Sequence, residues 1–355
     1  MPVLRILLLP FAILYKLTTD FRNHLYNIGN KKSIEFDRYI ISVGNLTVGG
    51  TGKTPFVELL LRNLKDDFRL AVVSRGYKRK TRGFILADEN DDAQSIGDEP
   101  FQYYCKFKGD IAVAVGEERA MAIPELLFQN ENLEVIILDD AFQHRAVKPS
   151  LNILLNDYNR PFYKDYLMPA GLLRESRQNA SRADLIVVTK CPDSLSQKEM
   201  EEIKSQIIAY AKNNTPIFYT GVKYLKPRRL YGDIDFSENV FVFSGIANAE
   251  PMLNYIEEHY NLLGYKKFPD HYSFSDEDLK DIVDQFDGFP EEKKCIITTE
   301  KDMVRLISMK EEAGFLRDYP VFYLPIELYF LGNGDFFAKY LKETVEKGLK
   351  NIRFN

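Results

Sequence analysis

One stretch leaves the chain little choice of fold. Ile40-Ile41-Ser42-Val43-Gly44-Asn45-Leu46-Thr47-Val48-Gly49-Gly50-Thr51-Gly52-Lys53-Thr54 runs from an apolar strand into a glycine-rich turn and then into a helix. Gly49, Gly50 and Gly52 let the backbone N–H groups from Thr47 and Val48 through Thr51 to Thr54 converge on phosphate oxygens. The helix N-terminus adds its positive dipole, Lys53 reaches the β- and γ-phosphates, and the Thr54 hydroxyl ligates Mg²⁺. Thr47 stands where the first glycine of G-x-x-x-x-G-K-[ST] is usual. Strand, loop and helix in this order make a phosphate-binding loop, and ATP with Mg²⁺ the expected ligands.

Such a loop needs an acidic partner at the end of a neighbouring strand. Val135-Ile136-Ile137-Leu138-Asp139-Asp140 supplies it, with either Asp139 or Asp140 holding the metal directly or through water. Further short apolar runs, at 69–74, 111–115, 151–155, 185–189 and 217–219, alternate with helical stretches at 54–64 and 197–212. Continuous apolar runs of this length are what parallel strands buried on both faces look like. The expected fold is α/β: an open, mostly parallel sheet flanked by helices, of the P-loop NTPase kind. After Lys223 comes a polar connector, Leu225-Lys226-Pro227-Arg228-Arg229. Beyond it a second αβ series follows, with strands at 240–244, 295–298 and 321–324 and a helix over 251–262. The expected division is 1–32 as an N-terminal segment, 33–222 as the P-loop unit and 223–355 as a smaller α/β unit.

The N-terminal segment is both the greasiest and the most basic part of the chain. Five basic residues against Asp20 give residues 1–32 a net +4, which leaves −9 for the rest of a chain whose total is −5. The longest uncharged run, Ile6 to Tyr15, would make a helix about 15 Å long, half of a hydrocarbon core of about 30 Å, so a full span is not expected. Two readings remain: a helix lying in a membrane interface, with Lys16, Arg22, Lys31 and Lys32 near anionic head groups, or a helix packed on the protein's own core. Arg75-Gly76-Tyr77-Lys78-Arg79-Lys80-Thr81-Arg82 is a second basic stretch. The acidic total argues against nucleic acid as its partner and for a phosphorylated lipid or an anionic surface. Three scattered cysteines in no CxxC spacing suit a reduced cytoplasmic setting and form neither a disulfide framework nor a zinc site.

Taken in order, several motifs together resemble the tetraacyldisaccharide 4′-kinases, which phosphorylate a lipid A precursor. They are the loop from Ser42 to Pro55, Ser74-Arg75-Gly76-Tyr77, Gly97-Asp98-Glu99-Pro100, Leu138-Asp139-Asp140-Ala141-Phe142-Gln143-His144 and Pro169-Ala170-Gly171-Leu172-Leu173-Arg174-Glu175. Thr189-Lys190-Cys191-Pro192, Gly245-Ile246-Ala247-Asn248, Phe268-Pro269-Asp270-His271 and Thr299-Glu300-Lys301-Asp302 complete the series. The resemblance implies transfer of the γ-phosphoryl group of ATP to the 4′-hydroxyl of a tetraacyldisaccharide 1-phosphate glycolipid, at the cytoplasmic face of the inner membrane. It also makes residues 3–26 a membrane-contacting element, since a four-chain lipid does not readily leave the bilayer.

The resemblance further implies roles for single residues. A sugar hydroxyl is a weak acid and needs a base; Asp98 is that base in the family's motif, although its position before Pro100 equally suits a turn residue. His271 orients or polarises it, with Tyr272 standing where many relatives carry a second histidine. Arg174 either stabilises charge on the transferred phosphoryl or holds the substrate's 1-phosphate, and Glu175 orients it. Gln143 positions phosphate or water. The competing reading is a membrane-associated P-loop ATPase acting as a switch or transport component.

Overall fold

The computed structural model of the chain describes residues 2–231, 235–309, 314–332 and 334–354. Helix α1 (Pro2–Asn27) precedes a first series: β1 (Tyr39–Asn45), α2 (Lys53–Leu64), β2 (Leu70–Ser74), β3 (Ile85–Leu86), α3 (Ala93–Ile96), α4 (Asp98–Phe107), β4 (Ala112–Val115), α5 (Arg119–Gln129), β5 (Val135–Leu138), β6 (Leu151–Asp157), β7 (Leu185–Thr189), α6 (Gln197–Ile208) and β8 (Ile217–Tyr224). The second series is β9 (Arg228–Arg229), β10 (Asn239–Ser244), α7 (Glu250–His259), β11 (Asn261–Lys267), α8 (Asp276–Asp287), β12 (Cys295–Thr299), α9 (Glu300–Ser308), β13 (Val321–Leu324), β14 (Ile326–Phe330) and α10 (Gly334–Phe354).

The expected strands of the first series pair in parallel, in the order β8-β7-β6-β1-β5-β2-β4. Strands β1, β2, β5, β6 and β7 are buried at every residue, which is why they read as largely apolar runs. Among the described residues a second sheet, β11-β10-β12-β13-β9, is parallel except for β9. The helix expected over 251–262 stops at His259 because Asn261 to Lys267 pairs with the free edge of β10 as β11.

The expected unit of 223–355 does not coincide with this second sheet. Two residues after β13 the chain returns to the first sheet, where β14 pairs antiparallel with β8. Helix α10 follows it and buries Phe337, Leu341 and Val345 in the same core as Phe56, Leu60 and Phe218. The physical reason is an edge: without β14, strand β8 would leave its backbone groups unpaired.

Three helices meet over one buried ion cluster. Glu58 on α2 is fully buried and accepts hydrogen bonds from Gln102 (2.8 Å) and Lys106 (2.6 Å), both on α4. Lys106 Nζ also bonds Glu300 at the start of α9 (2.7 Å). One ammonium thus joins the loop-bearing helix, the helix that begins at Asp98, and the second sheet. Removing one member of such a cluster leaves buried charge uncompensated, which costs about 3–5 kcal/mol. Lys106→Met is therefore expected to lower unfolding stability by about that amount, read as the shift of the urea midpoint at constant slope.

Candidate active site

The carboxyl ends of β1 and β5 lie side by side, so the loop after β1 and the Asp139-Asp140 pair emerge at one edge of the sheet. Crevices at such edges are where open α/β sheets bind ligands. Gly44 makes the approach possible: a Cβ there would sit 2.7 Å from the Cβ and backbone nitrogen of Phe142. Gly49 and Gly52 adopt φ of +99° and +82°, values that only glycine takes without strain. Thr47 is not among the positive-φ residues, so its side chain costs the loop nothing. Helix α2 has no side-chain cap at Gly52, which leaves its first N–H groups for an anion.

The loop is braced from several sides. Asn45 donates to the Thr47 carbonyl at 2.7 Å, and Gln143 donates to the Asn45 carbonyl at 2.8 Å. Thr189 donates to the Thr51 carbonyl at 2.8 Å, and Lys190 bonds both the Gly50 carbonyl and Asp157. Val48 N–H bonds the Leu172 carbonyl at 2.8 Å, tying the loop to the segment that carries Arg174.

The two aspartates after β5 occupy opposite environments. Asp140 sits in the left-handed region (φ 47°) and receives both arms of the Arg174 guanidinium, at 2.9 and 3.2 Å, with Lys53 Nζ 3.7 Å away. Burial raises its pKa, but Lys53 and Arg174 outweigh it and hold the carboxyl below its usual range. Asp139 is 4% exposed. Burial, followed by repulsion from Asp140, pushes its carboxyl up to about 6. Its Oδ2 accepts from Tyr103 at 3.2 Å, whereas its Oδ1 is buried without a partner. Among the described residues no cluster of three His, Cys, Asp or Glu could cage a metal. An orphaned carboxylate oxygen beside a phosphate loop instead suits Mg²⁺, which takes one or two carboxylates and completes its shell with phosphates and water.

Asp98 opens α4 directly after Gly97, whose φ is +98° and whose missing Cβ lets the Gly76-Tyr77 backbone pass at 3.2 Å. From the second sheet, His271 Nδ1 reaches Asp98 Oδ2 at 3.3 Å, and its ring meets Tyr77 edge-on. His271 also has a positive φ of 57°, a conformation non-glycine residues hold only under constraint. Arg305 on α9 donates to the same Asp98 oxygen at 2.9 and 2.7 Å. Burial raises the Asp98 pKa, but the His271 bond and the Arg305 charge together carry it below the usual carboxylate range. The carboxylate is thus ionised at neutral pH. Helix α4 links this group to the loop, because its Tyr103 touches Asp139 and Glu99 contributes to the Asp139 shift.

Of the residues expected at the site, Lys53, Asp140 and Arg174 come together, and so do Asp98 and His271. Glu175 does not join Arg174. Its carboxylate, 2% exposed, pairs with Arg182 at 2.5 Å and accepts from Asn23 of α1 at 3.4 Å. Arg174 turns to Asp140 instead. Arg305 and Tyr103 went unnoticed. Arg305 stands three residues after Asp302 on α9, and their 2.8 Å ion pair is legible as helical spacing. Its contact with Asp98, 207 residues away, has no sequence signal.

Helix α1 is fastened by its polar side. Tyr15 donates to the Arg174 carbonyl (2.9 Å), Arg22 to the Gln143 carbonyl (3.0 Å), and Arg145 to the Asn23 carbonyl (2.8 Å). Its opposite side presents Ile6, Leu7, Phe11, Ile13, Leu14, Leu17 and Phe21 to the outside, each more than half exposed. The side chains of residues 1–4 lie outside the described residues. No helix among the described residues is long and apolar enough to cross a membrane.

The family model for tetraacyldisaccharide-1-P 4′-kinase (LpxK) matches residues 4–346. The tetraacyldisaccharide 4′-kinase of Flavobacterium johnsoniae is 44% identical over 98% of this chain and 100% of its own. That of Bacteroides fragilis is 40% identical over 97% of this chain and 94% of its own. A crystal structure of LpxK from Aquifex aeolicus in complex with ATP superposes with a TM-score of 0.74 at 31% identity, covering 96% of this chain and 99% of that one. Matched by the family model over residues 4–346 and by relatives over nearly its whole length, the chain belongs to the tetraacyldisaccharide 4′-kinase family.

Proposed function

We propose that this protein transfers the γ-phosphoryl group of ATP to the 4′-hydroxyl of a tetraacylated glucosamine disaccharide 1-phosphate. The observation that carries the mechanism is the ionised Asp98 carboxylate, held at the head of α4 by a charge-assisted fork and by His271. Phosphoryl transfer asks the protein mainly for positioning and charge stabilisation, plus a base for the attacking hydroxyl. The amides of Gly49, Gly50, Gly52, Lys53 and Thr54, with the Lys53 ammonium, hold the β- and γ-phosphates; the expected Val48 and Thr51 amides are taken instead by the Leu172 and Gly49 carbonyls. Thr54 with Asp139 and Asp140 would hold Mg²⁺, which neutralises charge on the phosphates. Arg174, kept in place by Asp140 and Asn45, faces the charge that develops on the transferred group. Asp98 takes the hydroxyl proton as the oxygen attacks phosphorus, and His271 fixes the carboxylate's direction. Glu175 acts at one remove, by fastening α1 through Asn23 and Arg182.

Helix α1, in the same reading, lies in the membrane interface with its apolar side down. Its ten-residue uncharged run suits an interfacial helix and not a span. ATP and the glycolipid would meet at the cytoplasmic face of the inner membrane. The switch or transport ATPase has no observation in its favour, and the held Asp98 carboxylate at the head of α4, whose Tyr103 reaches Asp139, weighs against it.

Purified protein given radiolabelled ATP, Mg²⁺ and tetraacyldisaccharide 1-phosphate in detergent should yield labelled bisphosphorylated lipid. ATP turnover indifferent to the glycolipid would instead mark a switch. Asp98→Ala should lower kcat by at least about a hundredfold, with a smaller change in the KM for ATP; an unchanged kcat removes Asp98 from the base role. Paired Phe11→Asp and Leu14→Asp changes should abolish co-sedimentation with phosphatidylglycerol-containing vesicles and raise the KM for glycolipid while leaving that for ATP alone. Undiminished sedimentation would return α1 to a purely structural part.

A further inference from the structure

Arg305 belongs to α9 of the second sheet, yet most of its guanidinium serves a residue of the first. Nε and Nη2 both donate to Asp98 Oδ2, at 2.9 and 2.7 Å. Nη1 is anchored at its back by the Gly245 carbonyl (3.1 Å) and Asp302 Oδ1 (2.8 Å). Asp302 is itself fixed, accepting from Thr299 (2.7 Å) and from Gly245 N–H (3.0 Å). His271 Nδ1 makes its contact with the same Asp98 oxygen. All the hydrogen bonds on the Asp98 side chain thus fall on Oδ2. Oδ1 has none and is not among the buried unpartnered atoms, so it is the accessible oxygen of the pair.

We propose that Arg305 is a positioning residue for the phosphoryl transfer: by holding Oδ2 it sets the carboxylate plane and leaves Oδ1 as the oxygen that receives the proton. The proposal rests on the reading of Asp98 as the base. In the step, the substrate O–H bond breaks and its proton goes to Oδ1. The oxygen bonds the γ-phosphorus, and the bond to the β-phosphate oxygen breaks to release ADP. A guanidinium suits the task because its planar fork fixes direction as well as charge, which an ammonium does not. Because Arg305 and Asp98 lie on helices that flank different sheets, the base is aimed only while α9 rests against α4, where Met303 and Val304 share a buried cluster with Phe101.

The charges facing Asp98 are few. Arg305 and His271 bond it, Asp302 stands behind Arg305, and Glu99, next along α4, has Lys301 at 3.6 Å. Burial opposes ionisation of Asp98. Loss of Arg305 leaves only His271 against it, so the carboxylate should protonate at higher pH.

The test compares Arg305→Gln, Arg305→Lys and Asp98→Asn in the full chain, with Mg-ATP and the glycolipid, from about pH 3 to 9, with thermal melts of each across the same range. For Arg305→Gln we expect kcat to fall at least about tenfold, the KM for ATP to stay within about twofold, and the acid limb of kcat to move up by about one pH unit. Arg305→Lys, which keeps the charge without the fork, should return the limb towards wild type but not the full kcat. Unchanged kcat and limb in Arg305→Gln, with Asp98→Asn inactive, overturns the role of Arg305 and spares the base. An active Asp98→Asn overturns the base reading and this proposal with it. Should Arg305→Gln fail to fold, Arg305→Lys decides: wild-type kcat and limb together overturn the proposal.

Discussion

Strand β1 is paired in parallel on both edges and covered on both faces, and the rest of the site depends on that confinement. Its neighbours β5 and β6 hold it in register from Tyr39 to Asn45, so whatever follows Asn45 emerges beside whatever follows Leu138. The glycines then have a single task, to let backbone turn tightly where no side chain fits. The glycine loop and the aspartate pair are therefore one geometric consequence of a buried parallel strand, not two separate motifs.

Charge at this edge is sorted by environment rather than by residue type. Asp139 and Asp140 are neighbours in sequence, but one faces Tyr103 and apolar packing while the other faces Lys53 and Arg174. Their carboxyls are accordingly pushed in opposite directions. The first keeps an unpaired oxygen that a cation would satisfy; the second holds an arginine in place. A third carboxylate, Asp98, is kept ionised from across the interface between the sheets. In the proposed mechanism the chain thereby obtains a metal ligand, an arginine clamp and a base from the same chemical group.

Much of this was legible in the sequence, and the exceptions share a cause. The parallel strands, the loop and the Asp139-Asp140 pair could be read because each is a local pattern: an apolar run, a glycine spacing, an acidic strand end. The return of β14 and α10 to the first sheet could not, because it is decided by an unpaired edge on β8 and a vacant apolar face over α2. Glu175 follows Arg174 in sequence and so reads as its partner, whereas the fold brings Arg182 and Asn23 to it. Arg305 was invisible for the plainest reason, since its target is 207 residues away.

Helix α1 touches the backbone of Arg174 and Gln143 with its polar side and exposes Leu7, Phe11 and Leu14 on the other. With that side in the interface as proposed, the search for substrate becomes a two-dimensional one. The quantity governing encounter is then the mole fraction of glycolipid in the surface, not its bulk concentration. Diluting the lipid with inert amphiphile should slow the enzyme even when the total amount of substrate is fixed, because the phosphate site is bolted to the helix and travels at its height along the membrane.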